Sequence, residues 1–424
     1  MGGCCSRDDV REEGLGSRRQ VDGEEAGNAV ACRCQEGSRA RLEGSRGFAS
    51  MFTQQGLKGV NQDAMVLVED FGGVKGTVLC GIFDGHGPYG HKVAAHVRDN
   101  LPHKLDLHLT SMSPPRGHRI HGDTSIECRG KDEPRVDDDR FFCSWKDAFT
   151  DAFEELDKEL GLNTSIDCIC SGTTAVCVMK HRENLLIANL GDSRAVLGTR
   201  DEKNKLVPIQ LTVDLKPNLP GEAERINSCQ GRVFALKEEP DLHRIWLPDD
   251  DCPGLAMARA FGDFCLKDYG LISTPQLSSW KLTEKDEFVI LATDGIWDVL
   301  SNKQVVKTVS SARTRSEAAK LLVHRAVRTW KTRYPTSKVD DCAVVCIFLN
   351  HPCLSSALPS DGCGRRGPAR ELSSESFKSA RSGGCSEPGV EGERKEEWTA
   401  LEGVSRVNSL VRMPRFAGVL GWRR

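Results

Sequence analysis

Hydrophobic positions along this chain fall into three regimes. Through residues 1–46 Gly, Arg and Glu dominate and no apolar period is sustained, the pattern of a disordered arm. From residue 47 onward, short runs rich in Val, Ile and Leu occupy 64–70, 76–83, 173–180, 184–190, 194–198, 287–293 and 342–349. Their length and composition predict strands. Helical patterns lie between them at about 88–101, 141–160, 219–229, 302–311 and 314–332. In the second of these, Trp145, Ala148, Phe149, Ala152, Phe153 and Leu156 fall on one face at 3,4 spacing, a stripe made for burial. Two polar stretches interrupt the pattern. Residues 105–140 read as a surface insertion between two helices, and 235–253, acidic and Pro-containing, as a loop over the surface. Beyond 350 Ser, Gly, Arg and Glu take over. The pattern therefore predicts an ordered domain at 47–350 and a largely disordered basic tail at 351–424, with no internal repeat at solenoid periods.

Composition narrows the class. With 424 residues, 38% of them hydrophobic, the chain can build one large core. The balance of 58 basic against 61 acidic residues argues against a nucleic-acid binder. No apolar run approaches the ~20 residues of a membrane span, and the polar start Met1 to Val10 is no secretory signal. The 18 cysteines are scattered without paired CxxC spacing, which argues against a zinc ribbon. They read as reduced thiols, several of them (Cys80, Cys177, Cys346) in core strands.

Candidate chemistry lies at the strand ends. Val78 to Phe83 is an apolar run leading into Asp84-Gly85-His86-Gly87, and Phe288 to Thr293 leads likewise into Asp294-Gly295. Asp340-Asp341 opens the strand at Cys342, and Asn61-Gln62-Asp63 precedes the strand at Ala64. Any one of these is an ordinary Asp-Gly turn or a solvated acid. Four together at the ends of core strands supply the oxygen ligands that hard divalent cations require.

Seven motifs in order carry a resemblance. They are Asn61 to Ala64, Phe83 to Gly87, Ser171-Gly172-Thr173-Thr174-Ala175, Asn189-Leu190-Gly191-Asp192-Ser193-Arg194, Ala258 to Asp263, Thr293 to Asp298, and Asp340 to Val344. The series resembles the type 2C protein phosphatases, most closely their plant branch, and covers about 47–350. The resemblance implies an α+β fold, a four-layer αββα sandwich of two antiparallel sheets flanked by helices. It implies a hydrolase of phosphoserine and phosphothreonine on proteins, acting in intracellular signalling through a water bridging two Mn²⁺ or Mg²⁺ ions. By motif, Asp84 would bridge the ions, the Gly85 carbonyl would bind one, and Asp294 and Asp340 would complete the shell with Asp63 beside it. Asp192 and Asp298 match positions near an optional third ion. His86 would protonate the leaving oxygen. Lys58 stands where the family often has Arg and would attract phosphate as a point charge, while Gln62 stands in place of Glu. These two departures are the footing of the alternative, a catalytically silent scaffold. Asp340 is favoured over Asp341 as ligand, since neighbours on a strand face opposite ways.

The chain ends add partners. Gly2, Cys4, Cys5 and Ser6 fit N-myristoylation followed by palmitoylation, two acyl chains being what secures a membrane attachment. The sequence therefore predicts a lipoprotein at the cytoplasmic face of the plasma membrane or in the cytoplasm, a monomer whose partners are phosphoproteins and lipid, with no nucleic acid. In 398–424 five arginines against Glu402 give +4, a stretch able to dock on the domain, a partner or an anionic membrane.

Overall fold

The computed structural model describes residues 39–42, 44–112 and 135–349. Gly2, Cys4, Cys5 and the tail beyond 349 lie outside the described residues. Among the described helices, none is long and apolar enough to cross a membrane.

Strands with two buried faces read as continuous apolar runs, and their alternation sorts side chains between two cores. In the first sheet Arg39–Arg41, Asp63–Glu69, Val78–His86, Ala175–His181, Asn184–Leu190 and Gln276–Lys281 lie side by side in that order. The short strand Gly172–Thr173 pairs with the last residues of Val78–His86, and Phe261–Gly262 pairs with it in turn. The second sheet runs Leu206–Gln210, Arg194–Arg200, Asp286–Ala292, Cys342–Phe348, Ala49–Gln54 and Gly44–Arg46. All these pairings are antiparallel. Met65, Leu67, Cys80, Ile82, Val176 and Val178 of the first sheet meet Ala195, Leu197, Val289, Leu291, Ala343 and Val345 of the second in the middle core. The intervening positions face outward under helices. Val66, Leu79 and Phe83 pack beneath Gly90–Met112 and Arg135–Leu162, where Phe149, Phe153 and Leu156 of the apolar stripe are fully buried. Ile290, Val344 and Cys346 pack beneath Asn302–Ser310 and Ala318–Arg333. The result is the four-layer α+β sandwich that the resemblance implies.

Three sequence expectations need correction. Strand pairing already begins at Arg39–Arg41 and Gly44–Arg46, inside the stretch assigned to the arm. The helix expected to stop near 101 continues through Pro102 to Met112, and its partner starts at Arg135, so both ends of the supposed insertion are helical. Burial of Leu101 and Leu105 on one face outweighs the local cost of the proline. The acidic stretch 235–253 is no simple surface loop, because Arg232–Ala235, His243–Trp246 and Pro253–Leu255 form a third sheet. Its polarity is misleading: Arg244, fully buried, pairs with Glu239 at 2.9 Å and donates to the Gly254 carbonyl. Trp246 beside it is also fully buried and stacks on Phe234.

Candidate metal and phosphate site

The two sheets bring their acidic strand ends together at one edge of the sandwich. The strand Val78–His86 does not end at its Asp-Gly but carries the motif within it. Asp84 stands opposite Asp63, and Gly85 and His86 pair with Thr173 and Gly172. Asp84 is fixed by its backbone, whose N–H donates to Thr174 Oγ1 at 3.0 Å while its carbonyl accepts from Thr174 N at 2.9 Å. Gly85 has no room for a side chain, since a Cβ there would lie 2.4 Å from the Gly90 carbonyl oxygen and 2.7 Å from that of Gln62. From the second sheet, Thr293 Oγ1 donates to Asp63 Oδ2 at 2.9 Å and ties the two layers at the site. Asp294 follows at the start of a short helix, close enough to Asp84 for their carboxyls to share a hydrogen bond.

Asp340 and Asp341 take different tasks. Asp341 accepts backbone N–H groups from Gly56 at 2.7 Å and Gln62 at 2.8 Å and so holds the 56–62 loop. Asp340 meets the Lys58 ammonium at 2.6 Å, and Lys58 keeps 23% of its side chain exposed. Gln62 donates through Nε2 to the Gly87 carbonyl at 2.8 Å, a bond that a glutamate could not make. Asp192 is buried and pairs with Lys216, a lysine that no sequence motif marked. Asp298 remains exposed at the rim.

Seven carboxylates (Asp63, Asp84, Asp192, Asp294, Asp298, Asp340 and Asp341) thus share one region with two ammonium groups, Lys58 and Lys216. Burial first, then repulsion from Asp294, Asp63 and Asp340, holds the Asp84 carboxyl well above the ordinary aspartate range. Burial and the charges of Asp341 and Asp340 do the same to Asp63. Asp340 is pushed up to about 7 by burial and Asp294, against the pull of Lys58. Burial opposes the charge of Lys58, yet Asp340, Asp294 and Asp84 together hold its pKa above the usual lysine value. Among the described residues no three His, Cys, Asp or Glu side chains form a finished metal cage. The acids lean instead on the lysines and on one another. The donor set nevertheless fits hard divalent cations: it is all oxygen, its negative charge exceeds its counter-charge, and Asp192 Oδ1 is buried with no partner among the described residues.

A stability consequence follows. An acid whose folded pKa lies above its unfolded value binds the extra proton in the folded state, so stability falls as pH rises between the two. For Asp340 that window runs from the ordinary 3.8 to about 7. In chelator, the denaturation midpoint of the protein will therefore fall across this window, and Asp340→Asn will flatten the fall. A metal-free midpoint that rises through the window and is insensitive to Asp340→Asn would contradict the placement of these acids.

His86 is buried beside the carboxylates. Its Nε2 contacts Asp263 Oδ2 at 2.5 Å, with 4% of the histidine side chain and none of the aspartate exposed. Burial alone would lower its pKa, but the charge and hydrogen bond of Asp263 raise it overall. Gly172 covers this pair so closely that a Cβ there would stand 2.2 Å from Asp263 Oδ2 and 2.7 Å from His86 Nε2. Asp263 ends the Ala258–Asp263 motif but carries no role in the sequence reading, because its distance in sequence from His86 hides the contact.

Comparison with known proteins gives the following matches. A family model described as Protein phosphatase 2C matches residues 118–332. "Probable protein phosphatase 2C 73" of Oryza sativa subsp. japonica is 54% identical over 379 residues, covering 88% of this chain and 89% of its own. "Probable protein phosphatase 2C 33" of Arabidopsis thaliana is 48% identical over 438 residues and covers 88% of each chain. Among solved structures, a serine-threonine phosphatase 2C from Toxoplasma gondii shares the fold with a TM-score of 0.62 at 24% identity. That match covers 73% of this chain and 98% of the other.

Proposed function

This chain belongs to the protein phosphatase 2C family, and on that premise we propose that it hydrolyses phosphoserine and phosphothreonine on proteins with two Mn²⁺ or Mg²⁺ ions. The observation that carries this reading is the meeting of Asp63, Asp84, Asp294 and Asp340 at the junction of the two sheets, with too little positive charge to neutralise them. Asp84, the Gly85 carbonyl, Asp294 and Asp340 would hold the pair of ions, Asp63 supports them, and Asp192 and Asp298 would hold an optional third. Bound there, the ions supply Lewis acidity that polarises a phosphoryl oxygen and makes water nucleophilic at neutral pH.

The remaining work falls to the chain's own groups. Lys58, partly exposed and 2.6 Å from Asp340, presents a positive charge at the mouth of the site and binds phosphate oxygens as a point charge. Its partner carboxylate keeps it charged and in place. Gln62 braces the Gly87 carbonyl and so holds the turn that follows Gly85 and His86. Asp263 holds Nε2 of His86, and Nδ1 has no partner among the described residues. Nδ1, buried and left without a partner there, would be the nitrogen that delivers a proton to the departing serine or threonine oxygen. Asp263 is a positioning residue in this scheme, fixing the ring and stabilising its charged form.

The test separates proton donation from general damage. His86→Gln will lower turnover of a phosphothreonine peptide by about 10²-fold, the usual scale for a lost general acid. On an aryl phosphate the loss will be much smaller, because a phenolate of low pKa leaves without a proton. Equal losses on both substrates would remove His86 from this role.

A further inference from the structure

Two thiols outside the acidic site lie against each other. Cys170 and Cys265 are far apart in sequence, yet their sulfurs stand 3.4 Å apart. The segments that carry them run side by side. Phe264 N donates to the Cys168 carbonyl at 3.1 Å, Cys265 N to that of Ile169 at 3.1 Å, and Asp263 N to that of Ser171 at 3.0 Å. The backbone thus holds the pair in place, and both cysteines are only half-buried, within reach of a small oxidant. We propose that Cys170 and Cys265 form a hydroperoxide-reactive dithiol, whose closure into a disulfide disturbs the Asp263–His86 pair and slows the phosphatase. The effect on turnover rests on the reading of His86 given above; the reactivity of the dithiol does not.

The chemistry balances with hydrogen peroxide as the oxidant. The Cys170 sulfur attacks one peroxide oxygen; a sulfur–oxygen bond forms, the oxygen–oxygen bond breaks, and the departing hydroxide leaves as water with the Cys170 proton. The Cys265 sulfur then attacks the sulfenic sulfur; the sulfur–sulfur bond forms, the sulfur–oxygen bond breaks, and a second water leaves with the Cys265 proton. Two thiols give up two electrons and the peroxide accepts them. The two sulfurs are equivalent in this balance: the same bonds form and break with Cys265 attacking and Cys170 resolving.

Closure would be felt at the site. Cys265 is two residues from Asp263 in the chain. Cys170 adjoins Ser171, which holds the Asp263 amide through its carbonyl and the Tyr89 amide through its hydroxyl at 3.0 Å. Drawing the sulfurs from contact to bonding distance pulls on both supports of a carboxylate that sits 2.5 Å from His86. Small misplacements of catalytic groups are costly, so a loss of about tenfold is expected.

The experiment uses the full chain, fully reduced and then treated with hydrogen peroxide. It is alkylated, digested without reductant and mapped by mass spectrometry, with turnover of a phosphothreonine peptide measured in parallel. The expected result is a cross-linked 170–265 peptide, lighter by two hydrogens than its reduced parts, together with a loss of turnover of about tenfold. Dithiothreitol reverses both. Cys170→Ser and Cys265→Ser keep the turnover of the reduced protein and resist peroxide. Oxidation of other thiols without the 170–265 link, or a link from Cys265 to Cys168 or Cys252 instead, would overturn the proposal. So would the 170–265 link with unchanged turnover. A reduced protein that releases no phosphate at all points to a failure of the functional reading, and the peptide map still decides the dithiol.

Discussion

Asp84→Asn will abolish nearly all metal-dependent turnover, by about 10³-fold, while leaving the fold intact. The expectation joins two observations. Asp84 is held by its backbone, through Thr174, and asparagine keeps both of those bonds. Its side chain, by contrast, is buried in a crowd of like charges, and burial first, then repulsion from Asp294, Asp63, Asp340 and Asp192, raises its pKa well above normal. Removing one charge relieves repulsion in the metal-free protein, so the variant in chelator will be at least as stable as wild type near neutral pH. It also weakens the hold on a divalent ion, so the rise in melting temperature on adding Mn²⁺ will shrink, as mass action requires. The two shifts have opposite signs, which a merely misfolded variant would not show. Retention of about a tenth or more of wild-type turnover would contradict a role for Asp84 at the centre of an electrostatic site.

The second large effect is on stability. Trp330, 1% exposed, fills the space between the Ala318–Arg333 helix and the second sheet, and its Nε1 donates to the Gly295 carbonyl at 2.7 Å. Trp330→Ala will cost about 3–5 kcal/mol, the range for emptying a buried aromatic position. Trp330→Phe keeps most of the ring but leaves Gly295 only a weak contact from the Cys342 thiol, at a cost of about 1–3 kcal/mol. Because Gly295 follows Asp294, both variants will also weaken Mn²⁺-induced stabilisation. Urea unfolding gives the order directly. An alanine variant within about 1 kcal/mol of wild type would mean that this helix does not form the outer layer.

The architecture was legible because its strands are buried on both faces. Val78 to Phe83 and Phe288 to Ala292 read as unbroken apolar runs, and the stripe from Trp145 to Leu156 marked its helix. What escaped were elements whose burial depends on pairing polar groups. Arg244 and Glu239 look like surface charges until they meet each other in the third sheet. The continuation of the helix through Pro102 likewise depends on a core that local sequence does not reveal.

The acidic site shows the same division. Asp63, Asp84, Asp294 and Asp340 are legible because each lies within or beside a core strand in a recognisable motif. Asp340 and Asp341 are adjacent and chemically identical, and only the backbone amides of Gly56 and Gln62 show which of them braces a loop. Lys216 lies in a loop with no pattern to mark it, and Asp263 meets His86 only through the fold. Long-range contacts of this kind follow from topology and leave no local signature.

The most direct test is phosphate release from a phosphothreonine peptide by protein stripped with chelator and then titrated with Mn²⁺ or Mg²⁺. The proposed chemistry predicts no release in chelator, saturable release with added metal, and loss of that release in Asp84→Asn. Release that persists in chelator, or a folded wild type that releases nothing at any metal concentration, would contradict it, the latter leaving a silent scaffold in its place.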